Sequence, residues 1–131
     1  METKKILVIE GEKFILDIVC FQLKKEGFEA IVARNGSEGL ELAFSTDPDL
    51  IIIGTSYPGM SGFEVCKTIR EHSNIPIIIL TSKENPEDIV YAFEIGADDY
   101  IKQPFGCSEL IARIKANIRR AAMPAWPEIQ R

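Results

Sequence analysis

Two kinds of apolar stretch alternate along the chain. Short blocks at Lys5–Ile9 (KILVI), Phe28–Val32, Leu50–Ile53 behind Pro48, Ile75–Leu80 (IPIIIL) and Asp99–Lys102 predict five strands. The third and fourth have no polar alternation, the mark of strands buried on both faces, and Pro76 is tolerated only because it falls at a strand start. Between them, spaced apolar positions predict helices over Lys13–Glu26, Ser37–Ser45, Phe63–Glu71, Pro86–Ile95 and Cys107–Arg120. Gly27 suits the stop of the first helix, with Lys24 and Lys25 in its last turn. Ser37 is a candidate N-cap for the second, after the turn Arg34-Asn35-Gly36. Gly62 opens the third, Asn85-Pro86 caps and starts the fourth, and Gly96 ends it. Strands and helices alternating at this spacing call for a parallel sheet covered by helices on both faces, joined by right-handed crossovers. Met123–Arg131 (MPAWPEIQR) carries two prolines and breaks the pattern, so residues 1–122 read as the domain and 123–131 as a linker or disordered tail.

Composition narrows the picture. With 131 residues, 46% hydrophobic and 27% charged, the chain has the size and make-up of one globular domain with its own core. A net charge of −5 argues against gripping nucleic acid by itself. No apolar stretch approaches a membrane span, and METKKILVIE enters a strand with no room for a secretory signal. Cys20, Cys66 and Cys107 are odd in number and form no CxxC pair, which favours free thiols in a reducing cytoplasm over a disulfide or a metal site.

In an open parallel sheet, ligand chemistry gathers at the carboxyl ends of the strands. There the segments KILVIEGE, PDLIIIG followed by PGMSGFEVC, IPIIILTS, GADDYI and a proline after the fifth strand together resemble the receiver domain of bacterial two-component response regulators. The resemblance covers about Lys4–Arg120. It implies a flavodoxin-like (βα)5 three-layer sandwich with strand order 2-1-3-4-5 and phosphoryl transfer to an aspartate. That reaction needs a nucleophilic carboxylate after the third strand and an acidic pair after the first strand for Mg²⁺. It also needs a lysine after the fifth strand and a hydroxyl after the fourth for the phosphoryl oxygens.

By position, the nucleophile is replaced by Gly54, the acidic pair by Glu10 and Gly11, and the lysine by Gln103; only the hydroxyl, Thr81, matches. Glu12 follows the pair, but the family's third residue is not usually a principal metal ligand. Lys102, one residue before the lysine position, should point to the other side of the strand. The expectation is a degenerate, near-neutral pocket with no catalytic residue, metal or cofactor, in an atypical pseudo-receiver that is not an enzyme. Thr55 and Ser56 read as loop hydroxyls making local turns, although a phosphorylated hydroxyl is conceivable. His72 reads as a solvated surface residue. Tyr100 occupies the family's aromatic switch position and is expected in a single rotamer.

Function then moves to surfaces. GADDY and SELIARIKANIRR have the look of the OmpR/PhoB-like branch, whose active domains dimerise through the fourth helix, fifth strand and fifth helix. The resemblance implies a homodimer with Val90, Phe93 and Ile111 at its apolar centre and charge pairs from Asp98, Asp99, Glu109, Arg113 and Arg120. Ile89 stands where that branch usually has a basic residue. With Ile89, Val90, Tyr91, Phe93 and Ile95 all apolar, part of the fourth helix must face outward. DNA would be reached only through an output domain beyond Arg131. The alternative is a stand-alone interaction module that docks on a kinase or scaffold. Leu16 and Cys20 suit core packing or a second contact surface equally.

Overall fold

Five parallel strands form one sheet in the order β2-β1-β3-β4-β5, as expected. The computed structural model describes residues 3–55, 57–82 and 85–123. In chain order the elements are β1 (Lys5–Ile9), α1 (Lys13–Lys25), β2 (Glu29–Ala33), α2 (Gly36–Thr46), β3 (Leu50–Gly54), α3 (Gly62–Arg70), β4 (Ile77–Thr81), α4 (Pro86–Glu94), β5 (Asp99–Lys102) and α5 (Cys107–Ala122). The uninterrupted apolar runs become β3 and β4, with every residue buried. One core layer lies under α1 and α5, and the other under the opposite face with α3. Among the described residues no helix is long and apolar enough to cross a membrane. The tail 124–131 and Ser56 lie outside the described residues.

The differences from expectation are local. Register shifts β2 by one residue, because Lys5–Ile9 of β1 pairs with Glu29–Ala33. The cap of α2 is Asn35, not Ser37: the Asn35 side-chain oxygen accepts the Glu38 backbone N–H at 2.9 Å. Ile75 and Pro76 lead into β4 without joining it, and Pro76 has no N–H to give the ladder. Ser61 caps α3 in a reciprocal capping box with Glu64, which fixes the loop after β3 to the start of its helix. On α1 the open question closes: Leu16 is buried and Cys20 packs against the same core layer.

Candidate functional site

β1, β3 and β4 end side by side. Ile9 pairs with Ile53, and Gly54 with Leu80, so Glu10, Gly54 and Thr81 arrive together at the carboxyl end of the sheet. Glu10 is only 3% exposed. Its N–H continues the strand pairing onto the Ala33 carbonyl at 2.9 Å, and its carboxylate Oε2 accepts the Glu12 N–H at 2.9 Å. The other oxygen points at Gly54. A Cβ added at residue 54 would stand 2.1 Å from Glu10 Oε1 and 2.9 Å from its Cδ. The side chain from β1 therefore fills the volume in which a side chain on residue 54 would begin.

Burial raises the Glu10 carboxyl above its ordinary value, although N–H groups of residues 11 and 12 and the Arg34 charge pull the other way. A carboxyl shifted upward binds more protons folded than unfolded. Its stability contribution is therefore fully present below the ordinary carboxylate pKa and is lost as pH rises through the shifted value. Glu10→Gln should remove that dependence and be more stable than the parent at neutral pH. Urea titrations of both proteins across mildly acidic to neutral pH should show the difference shrinking as pH falls.

The hydroxyls meet on the other side of Gly54. Thr55 Oγ1 and Thr81 Oγ1 lie 2.6 Å apart, one donating to the other, which corrects the reading of Thr55 as a local turn hydroxyl. The Gln103 N–H donates to the Thr81 carbonyl at 2.8 Å, and a cis peptide joins Gln103 to Pro104. A small cavity of about 40 Å³ remains, lined by Glu10, Glu12, Thr55, Thr81 and Gln103 among others. Gln103 thus reaches the position assigned to it, while Lys102 is exposed on the strand end. Gly11 contributes its carbonyl, which accepts from Arg34 at 2.8 Å. Tyr57 was not anticipated. Its hydroxyl is buried without a hydrogen-bond partner among the described residues, and burial together with the Glu10 charge keeps it protonated.

The model of the response regulator receiver domain matches residues 6–115. The chain belongs to this family. Similar solved structures include a two-component response regulator from Clostridium difficile (30% identity, 92% of this chain and 100% of that one, TM-score 0.88). The receiver domain of the Francisella response regulator 1452 matches at 30% identity over 91% and 99% of the two chains, with TM-score 0.86. The receiver domain of a signal transduction histidine kinase from Syntrophus aciditrophicus matches at 28% over 98% of each, with TM-score 0.85. As a receiver, this chain has the CheY-like fold. The family's Mg²⁺ needs several converging oxygen ligands. Gly11 and Gly54 have no side chains and Glu10 is turned into the space at residue 54, so the residues present do not fit that ion. Among the described residues no three His, Cys, Asp or Glu side chains gather in a way that could hold a metal.

Most of the remaining predicted residues lie on α4, β5 and α5. Val90 and Phe93 are 55% and 47% exposed on α4, and Ile89 and Ile95 are half-buried. Tyr91 leans on Phe63 edge to face, with ring centroids 5.6 Å apart. Ile111 must be corrected. At 9% exposure it belongs to the core layer under α1, because it shares the inward stripe of α5 with Leu110 and Ile114. The charged residues are engaged within the chain. Arg113 bridges Asp99 and Glu109 at 3.0 Å each, and Asn117 links Asp99 to Arg120. Asp98 pairs with Arg70 at 2.7 Å and accepts the Ile77 N–H at 2.9 Å. Tyr100 is half-buried against the core layer containing Ala92, within the field of Asp88. His72 is exposed and meets Phe44 edge to face.

Proposed function

We propose that this receiver regulates without being phosphorylated, through an α4–β5–α5 face on which two copies associate. The observation that carries the reading is the Glu10 carboxyl lying in the volume where a side chain on residue 54 would start. The pocket is filled from within, and Thr55 supplies Thr81 with a hydroxyl partner. The face is self-complementary in charge. Glu87, Asp88 and Glu94 make α4 acidic, while Arg119 and Arg120 make the end of α5 basic, Arg113 being held within the chain by Asp99 and Glu109. A two-fold arrangement sets the acidic helix of one copy beside the basic helix end of the other, with Val90 and Phe93 between them. In this account the pair positions a DNA-binding output domain beyond Arg131, and the protein works in the cytoplasm as a signalling part with no catalysis of its own.

Sedimentation without any phosphodonor tests the face. The parent should pass from monomer to dimer with concentration, and Phe93→Asp should weaken the association by about tenfold or more, as for an apolar hot spot. A parent that stays monomeric, or a variant that associates equally well, contradicts the proposal.

A further inference from the structure

Beside the small polar cavity at the strand ends lies a larger groove that phosphoryl chemistry does not account for. It holds about 430 Å³ between α1 and the chain after β5, with walls of Phe14, Ile15, Ile18, Pro104 and Phe105. Mostly apolar walls around a volume of that size suit a small molecule. The Phe14 ring, 68% exposed, borders the groove on its solvent side.

The two cavities share Ser82 and Gln103 as walls, so the apolar groove adjoins the space lined by Glu10 and Glu12. Neither the Ser82 hydroxyl nor the Gln103 side-chain amide is hydrogen-bonded among the described residues. The two charged residues lining the polar cavity are both acidic. Neither forms an ion pair among the described residues, and Glu12, at the N-cap of α1, makes no side-chain cap. Arg34, whose charge reaches Glu10, gives a guanidinium N–H to the Gly11 carbonyl at 2.8 Å.

We propose that the joined cavities bind a small amphiphilic amine, with its apolar body in the groove and its ammonium group beside Glu10 and Glu12. An ammonium has three N–H donors, and the Glu12 carboxylate, the Gln103 carbonyl oxygen and the Ser82 hydroxyl are available to accept them. The groove distinguishes this site from a plain acidic patch. Burial of the body against Phe14, Ile18 and Phe105 supplies the affinity, and the carboxylates select the sign of charge. The site is separate from the α4 face and neither needs association there nor prevents it.

The test is amide NMR of the whole chain titrated with phenylbutylamine and with phenylbutyrate, which differ in the charge of the head. The amine should bind with a Kd of about 1 mM, in keeping with its size, and shift amides of residues 14, 15, 18, 103 and 105. The acid should bind at least about tenfold more weakly. Phe14→Ala removes an exposed ring, leaves the core intact and should weaken the amine by about threefold or more. Glu12→Gln should lower the preference for amine over acid by about threefold. No shift at roughly ten times that concentration, shifts centred on α4, an acid bound as tightly as the amine, or variants that bind as the parent does would each overturn the proposal. So would equal binding of Nα-acetyl-lysine methylamide, which lacks the ring and would point to a lysine of a protein partner as the occupant.

Discussion

Gly62→Ala should destabilise the protein by about 2–3 kcal/mol, the upper part of the range for overpacking a site that cannot yield. A Cβ there would stand 2.2 Å from the Gly54 carbonyl oxygen and 3.0 Å from both the Gly54 carbonyl carbon and Thr55 Cα. All three are backbone atoms at the end of β3, whose strand is buried and hydrogen-bonded on both sides. Nothing can give way except the position of α3. The capping box between Ser61 and Glu64 opposes that movement. A helix normally gains from glycine to alanine, but by less than about 1 kcal/mol, so the clash wins. Gly54→Ala makes the informative contrast. Its new methyl meets the end of the Glu10 side chain, which can rotate away, and the Ile9 carbonyl only at 3.2 Å. Thermal unfolding should place Gly62→Ala roughly 10 °C below the parent, with Gly54→Ala losing less. Equal losses would mean that Glu10 is held as rigidly as backbone.

The strands were legible because their burial leaves a direct signature: KILVI, LIII and IIIL are unbroken apolar runs, and the sheet order came with the family resemblance. β2 was placed one residue early because it is the edge strand beside β1, partly exposed, and its ends are set by pairing with Lys5–Ile9. At the site, sequence position identified Glu10, Gly11, Gly54, Thr81 and Gln103 but gave no account of how the vacated volume is used. The extra methylene of glutamate lets Glu10 reach across from β1 to the space at residue 54, and that depends on register between strands. The Thr55–Thr81 contact has the same origin, since Gly54 opposite Leu80 sets the next residues opposite each other. Helical spacing carries two further distinctions. Ile111 is three residues from Ile114 on a single inward stripe, and Phe14 and Phe21 fall opposite Leu16, Val19 and Leu23 on α1. Helical spacing alone separates both pairs into core and surface.

Exposure to a phosphodonor should leave this receiver unchanged. Transfer needs a nucleophilic oxygen aimed at phosphorus, a cation or metal to offset the developing charge, and room for the phosphoryl group. Residue 54 offers no side-chain oxygen, and the Glu10 carboxyl beside it is buried with its pKa raised, so it is a poor site for further negative charge. Gln103 supplies a neutral amide where a cation is required, and the cavity between these groups is about 40 Å³. Acetyl phosphate with Mg²⁺, followed by intact mass and by amide NMR spectra with and without beryllofluoride, tests this directly. The account predicts one unmodified mass and superimposable spectra. A stoichiometric adduct with the mass of one phosphoryl group, or beryllofluoride shifts centred on residues 10, 54 and 81, would contradict it.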